Sequence, residues 1–442
     1  MSASLVNPEA AVTTVSHRPV VLAWWLLMFG AGLRFNQARD PLATAQGNLN
    51  WENLMELSVA GFAIVVGYHL WRRSGNQRPT TCLGLLTPGL LVVVSAGWSF
   101  SPQLSLGKGT SVLAYGALSA GTLSFLSKED RDKVFGSVSL LFVRTTAVLS
   151  CIGIVLGTRW SGRWTWPGTF PGTASILTAI ALILVVVSRM NRSGSAIGGH
   201  ELVIYSAPLL AMHLGAYTRG STLSLVFALL VLGYKRLKAN LGPSFALGIL
   251  LLSSFALTMI VRFGLPKAET LLDRSHSGED LSQLNGRREL WAEIVPRLIK
   301  DGRLLVGYGY SGSREPLLNV ASWAGTAHAV PLQLLVDVGL IGCAVLTGLF
   351  CRMILKLWRS PTSLASLFMS AYLVYWLPLG FSSEGLALPG PMMAMLFLGF
   401  SSSLSDATSD LQSGIRERKS SFRSAQLDAE FTGGSNAMKR RV

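Results

Sequence analysis

The chain has 442 residues, half of them hydrophobic and only 14% charged, with a formal charge of +15. A soluble protein of this length carries about a quarter charged residues, so a water-soluble multidomain protein is excluded. The basic balance does not mark a nucleic-acid binder, because the charges fall in short runs between apolar blocks.

A helix crossing a bilayer core of about 30 Å needs about 20 mostly apolar residues. On that rule the sequence predicts an all-α polytopic membrane protein with about 12 spans. They fall at 20–35, 54–71, 82–99, 109–126, 134–157, 173–188, 201–217, 220–234, 244–263, 328–350, 362–382 and 386–402. Residues 1–19 form a cytoplasmic tail, 20–402 the transmembrane domain, and 403–442 a disordered basic cytoplasmic tail. With the N-terminus inside, the short inner loops hold fourteen Arg and Lys, from Arg72 to Arg359. The short outer loops hold six: Arg34, Arg39, Lys108, Arg159, Arg163 and Arg219. The positive-inside rule then sets both termini in the cytoplasm. The basic end of the chain, "KRRV", suits anionic lipid headgroups.

Charges inside apolar spans are costly, so they mark functional candidates. Glu56 lies near the outer end of the second span, and Arg144 near the middle of the fifth. The four cysteines, Cys82, Cys151, Cys343 and Cys351, lie in or beside spans and imply no disulfide framework. The loop "GTRWSGRWTWPGTFPGTAS" (157–175) is rich in Trp and Arg. Its rings suit interfacial anchoring or stacking on sugars. His213 lies about one turn before Arg219, which stands in the tight turn "YTRGST" between spans seven and eight.

One outer segment is long: residues 264–327. Long loops on a rigid scaffold commonly carry function. From Arg288 the spacing predicts an amphipathic helix. Leu290, Trp291, Ile294, Val295, Leu298 and Ile299 share one face; Arg288, Glu289, Glu293, Arg297 and Lys300 share the other. Trp291 on the apolar side suits a helix lying at the membrane surface. Asn285 and Gly286 are start signals, Pro296 should kink the helix, and Asp301-Gly302 should stop it. "GYGYSG" (307–312) lacks the Lys-Ser/Thr of a nucleotide-binding loop and reads as a turn that lets backbone approach a partner. His328 stands where this segment enters the tenth span, "AHAVPLQLLVDVGLIG".

The topology sets Arg219, Arg287 and His328 on one side of the membrane. Two guanidinium groups and a helix N-terminus suit a diphosphate. A histidine, with an ordinary pKa of about 6.5, can take a proton at neutral pH. Taken singly, an arginine at a membrane edge can simply snorkel, and an interfacial histidine can be structural.

Four stretches in order make the chain resemble the O-antigen ligase and polysaccharide polymerase superfamily of bacterial inner-membrane proteins. "GWSFSPQLSLGKGT" (97–110) resembles its Ser-Pro segment, and "YTRGSTLSLVFALLVL" (217–232) its Ser/Thr-Arg turn. "NGRRELWAEIVPRLIKDGRLLVGYGYSG" (285–312) is similar to its Gly-Arg...Trp...Gly-x-Gly loop, and "AHAVPLQLLVDVGLIG" (327–342) to its His-Asn...Leu-Gln...Gly-Leu-x-Gly element. Ala329 stands where the family usually has Asn, and "FPGTAS" (170–175) where it has a His/Pro-Asn element.

The resemblance implies glycan transfer from a polyprenyl-diphosphate-linked oligosaccharide to a glycan acceptor, at the outer face of the inner membrane. It implies that Arg219 and Arg287 bind the donor diphosphate and that His328 assists as base; two arginines can stabilise the developing charge, so no metal is demanded, and no cofactor is expected. Arg288, Trp291, Tyr308, Tyr310, Arg144 and His213 complete the candidate substrate-contacting set. Membrane lipid and other polysaccharide assembly proteins are the expected partners. Polymerisation of exopolysaccharide or O-antigen repeats is the first expectation and ligation to lipid A core the second. A transporter or flippase using Arg144 and Glu56 is the alternative of a different class.

Overall fold

The structure, a computed structural model, describes residues 17–30, 51–74, 79–160, 162–190, 199–216, 218–241, 287–321, 325–358, 363–381, 383 and 389–404. The expected ninth span, residues 264–286 of the long loop and nearly all of both tails lie outside the described residues, as does Glu384, which the sequence sets in the short last outer loop.

The described chain is helical almost throughout. The helices are α1 (Arg18–Trp25, continued by a π turn Leu26–Gly30), α2 (Trp51–Arg73), α3 (Pro79–Val94), α4 (Pro102–Phe125), α5 (Lys128–Val155), α6 (Pro171–Met190) and α7 (Gly199–Gly215). They continue with α8 (Arg219–Leu241), α9 (Arg287–Lys300), α10 (Arg314–Leu318), α11 (Val330–Trp358), α12 (Leu364–Leu379) and α13 (Pro391–Ser403). Among the described residues five helical stretches are long and apolar enough to cross a membrane: Asn53–Arg73, Lys128–Val155, Pro171–Met190, Arg219–Leu237 and Val330–Leu355. Arg18–Gly30, Cys82–Trp98, Leu364–Leu379 and Pro391–Ser403 are apolar and shorter. This is a membrane protein.

Helix starts follow ordinary capping rules. Ser127 caps α5 by accepting from the Asp130 N–H at 3.2 Å, with Glu129 and Asp130 in the first turn. Ser363 and Ser366 form a reciprocal capping box on α12. The core is built by α6, whose Ile176, Leu177, Ile180 and Leu184 are buried, and by the small-residue helix α4. Small residues let α2 and α4 touch by backbone, as membrane helices do. A Cβ on Gly121 would collide with the Gly67 carbonyl oxygen.

The 157–175 loop departs from the all-helical expectation. Arg159–Trp160 (β1) and Arg163–Trp164 (β2) pair as a short antiparallel hairpin, its turn using the positive φ of Gly162 (75°). Its tryptophans divide: Trp160 is exposed against Phe170, while Trp166 is buried and donates to the Ser150 hydroxyl at 3.2 Å. Trp166 therefore belongs to the core and is neither an interfacial anchor nor a sugar platform.

Candidate functional site

The site is organised by a break in α11. At Gly339 the backbone turns to φ 66°, ψ −173°, a region open essentially to glycine alone. A broken helix in an apolar setting must find other partners for its backbone groups. The segment after α9 supplies them. The Tyr308 N–H donates to the Val336 carbonyl at 2.8 Å, and the Leu340 and Ile341 N–H groups donate to the Leu304 and Leu305 carbonyls at 3.0 and 3.1 Å. The approach is so close that a Cβ on Gly339 would collide with Leu305 O, and one on Gly307 would stand 2.6 Å from Asp337 O.

"GYGYSG" is thus a wedge set into a transmembrane helix. Its other side rests on the Ser-Pro segment. Trp98 donates its indole N–H to Val306 O at 2.9 Å, the Phe100 N–H reaches Tyr308 O at 3.0 Å, and the Tyr310 N–H reaches Ser95 Oγ at 3.0 Å. Arg303 lies over the Phe100 ring at 5.6 Å. Two stretches some 200 residues apart in sequence (|i−j| = 208 for Trp98 and Val306) therefore form one unit.

α9 stops as its sequence predicts. Gly302 takes φ 66°, the Arg303 N–H bonds Leu298 O at 2.8 Å and the Gly302 N–H bonds Ile299 O at 3.1 Å, the two bonds of a Schellman end. The helix runs on through Pro296. Its apolar face differs from the expectation. Leu290, Ile294 and Leu298 pack with Tyr308, Leu317, Ala327 and Val336, while Val295 and Ile299 remain exposed. Trp291 is half-buried and donates its indole N–H to Ala327 O at 2.8 Å, so its polar edge is spent inside the protein.

That bond leads to His328. His328 has φ 54°, uncommon for any residue but glycine and costing on the order of 1–3 kcal/mol unless the surroundings enforce it. They do so from three sides. Trp291 holds the Ala327 carbonyl. Gln333 Oε1 accepts the Ala327 N–H at 2.7 Å. Beyond the histidine, the Val330 N–H donates to Gly380 O at 2.7 Å, at the end of α12. Thr326 Oγ1 stands 3.5 Å from His328 Nδ1. Gln333 is fixed in turn: its amide donates to Asp337 Oδ2 at 2.9 Å and Ser313 Oγ at 3.1 Å, and Ser313 donates to Asp337 Oδ1 at 2.6 Å. All three side chains are buried.

The remaining candidates divide into near and far. Arg287, half-buried, opens α9 one turn before Trp291, on the same side of the helix; Arg288 is exposed. Arg219 opens α8 two residues before Ser221, whose hydroxyl pairs with Tyr375 OH at 2.7 Å. Tyr375 and Gly380 both lie toward the end of α12, so Arg219 and His328 belong to one end of the bundle. Tyr308 donates to Asp301 Oδ2 at 2.7 Å. Burial, then the Asp301 carboxylate, pushes its phenol up to about 12, making it a donor at neutral pH. Tyr310 is buried and lines an apolar cavity.

His213 and Arg144 are not brought to this cluster. His213 is buried between α6, α7 and α8, with Nδ1 3.0 Å from Ser175 O and Nε2 3.3 Å from Thr222 Oγ1. A charge near the middle of a span predicts a bundle-facing or cavity-facing side chain for Arg144. It is exposed on α5 and pairs with Glu201 at 3.0 Å and Tyr205 OH at 3.0 Å, both from α7. Glu56 is buried and meets Lys108 and Ser111 of α4. Glu56 and Arg144 thus serve different helix pairs.

Gln333, Asp337 and Ser313 were not read as site residues. The signal was present: Asp337 is an acid inside the apolar run "PLQLLVDVGLIG". Among the described residues no group of three or more His, Cys, Asp or Glu side chains gathers at a spacing that could hold a metal.

Comparison with known proteins adds one match. Residues 204–347 match the family described as O-antigen ligase, a stretch holding Arg219, Arg287, His328 and the break at Gly339. No curated protein matches the chain.

Proposed function

With residues 204–347 matching the O-antigen ligase family, we propose that the chain transfers a glycan from a polyprenyl-diphosphate-linked donor to a sugar hydroxyl. The acceptor we propose is a growing exopolysaccharide or O-antigen chain, so that repeat units are polymerised. In this reading about twelve helices cross the bacterial inner membrane, both termini are cytoplasmic, and α9 with the wedge faces outward.

The observation that carries the reading is the enforced turn at His328. It stands beside the helix that Arg287 opens, at the end of the bundle that holds Arg219. Strain of this kind gathers where a side chain must be aimed. The chemistry asks for little beyond placement. The two arginines bind the diphosphate and stabilise the charge it gains as the bond to the sugar breaks. His328 takes the proton of the attacking hydroxyl, a step worth about 10² to 10⁴ in rate. Arg288, exposed on the same helix, is left to contact the glycan.

An apolar cavity of about 310 Å³ begins at Val330 and Pro331, directly after His328, and runs along α11 to Phe350 and Met353 between α3 and α13. A polyprenyl tail needs such a lining, and its length would lie in the bilayer while the diphosphate meets the arginines.

The test is replacement of the gene by Arg287→Ala and His328→Ala versions in producing cells, with protein levels matched. Loss of surface polysaccharide, with undecaprenyl-linked repeat units accumulating, is expected. Unchanged polymer amount and length would sink the reading. Accumulation of free polymer with an unmodified lipid A core would instead identify the ligase form.

A further inference from the structure

Among the described residues two non-glycine residues take a positive φ, Ser311 (58°) and His328 (54°). They lie in different loops, yet both are tied to one pair of buried side chains. Asp337 accepts from the Ser311 backbone and from the Ser313 hydroxyl. Gln333, one turn earlier on α11, donates to Asp337 and accepts from Ala327 N–H, the peptide next to His328. The short first half of α11, before the Gly339 break, thus carries on one face the groups that hold both left-handed turns.

We propose that Gln333 and Asp337 are positioning residues for His328. Asp337 fixes the amide of Gln333, and Gln333 holds the Ala327 peptide so that the His328 ring is presented from a left-handed backbone. The assignment of polarity is forced. Gln333 must offer an oxygen to Ala327 and an NH₂ to its partner, so that partner must be an acceptor. The Asp337 carboxylate satisfies this and still has an oxygen for Ser313.

This proposal rests on the catalytic reading of His328, and its test separates the two. Gln333→Glu keeps the oxygen toward Ala327 but sets a carboxylate against Asp337. Misplacing a base by about 1 Å costs on the order of 10² in rate, so surface polysaccharide synthesis in cells carrying this variant is expected to fall by about tenfold to a hundredfold. Adding Asp337→Asn restores a donor opposite an acceptor, since the new amide would donate to the new carboxylate, and synthesis should return most of the way. In a His328→Ala background, Gln333→Glu should change the residual synthesis by less than about twofold, because it then has nothing left to aim. If Gln333→Glu lowers residual synthesis there by its full factor, the pair is merely structural and the proposal falls.

A readout independent of transfer uses the purified full-length protein in detergent. Diethyl pyrocarbonate modification of His328, followed by peptide mass spectrometry from pH 5 to 8, reports the ring's exposure and titration. Gln333→Glu should shift that profile and the double variant should restore it. An unaltered profile overturns the proposal. If His328→Ala leaves polysaccharide synthesis intact while Gln333→Glu still shifts the profile, positioning stands and the catalytic reading of His328 fails. Should Gln333→Glu not accumulate, Gln333→Met, which removes both hydrogen bonds without adding charge, takes its place with the same expected shift.

Discussion

Gly339 and Leu305 meet backbone to backbone, with space between them for a hydrogen atom and not for a methyl group. Gly339→Ala adds a Cβ that collides with the Leu305 carbonyl, in a φ/ψ combination that alanine avoids. The expected loss is about 3 kcal/mol, read as a lower melting temperature in detergent and reduced accumulation in membranes. Wild-type stability would show that α11 is not held broken by the wedge.

Three substitutions at His328 separate backbone from chemistry. His328→Asn tolerates a left-handed backbone but cannot take a proton at neutral pH. It should keep stability and lose transfer by about 10² to 10⁴, as His328→Ala should. His328→Val puts a β-branched side chain at φ 54° and should also lose on the order of 1–2 kcal/mol of stability. Thermal unfolding and polymer yield, measured side by side, check the ordering.

Arg219 and Arg287 should respond to lysine differently from a simple charge requirement. Two-pronged binding of phosphate oxygens is available to arginine and not to lysine. Arg287→Ala should lower transfer by about 10² or more, and Arg287→Lys should recover only part of that. The same order is expected at Arg219. Full activity in either lysine variant would reduce that arginine to a diffuse positive charge.

Tyr308 gives a pH dependence with a defined sign. Its phenol is pushed up to about 12 in the fold, above an ordinary value near 10. The protonated form is therefore the one that the fold favours. The stability it adds is fully present below about pH 10 and is lost as pH rises through about 12. Tyr308→Phe should thus cost stability at pH 8 and cost less at pH 11. The pH profile of transfer below about pH 9 should keep its shape, because the phenol is protonated throughout. A changed alkaline limb in that range would give Tyr308 a proton-transfer role.

Glu56 and Lys108 form a buried ion pair between α2 and α4, each side chain 9% exposed. Lys108→Met alone strands a carboxylate and should cost about 3–5 kcal/mol. Combining it with Glu56→Gln should return much of that. Unfolding of the single and double variants in detergent measures the coupling. A single variant as stable as wild type would contradict the pairing.

Much of the site's arrangement was legible because local rules govern it. Asp301-Gly302 ended α9 at the expected place, and "GYGYSG" proved to be a point of close backbone approach. Three of the four motif stretches, 217–232, 285–312 and 327–342, lie inside residues 204–347, which match the O-antigen ligase family. Features that depend on distant partners were not legible. Nothing in "VDVGLIG" announces a broken helix, since its freed N–H groups are satisfied by Leu304 and Leu305. The direction of Trp291 was misjudged because its indole partner, Ala327 O, lies 36 residues on. The cost of a charge within a span points Arg144 toward the bundle or a cavity, and its actual partner, Glu201, was not legible because it lies 57 residues away. The left-handed turn at His328 follows from Gln333, Trp291 and Gly380, not from histidine's own preference.

The wedge in α11 also limits how the molecule can move. Lifting residues 303–308 away would strand the carbonyl of Val336 and the N–H groups of Leu340 and Ile341 in apolar surroundings, each at a cost of several kcal/mol. This segment is therefore a fixed floor and not a flap. Any widening of the cavity along α11 therefore has to come from its other walls, α3 and α13, which leaves the floor intact.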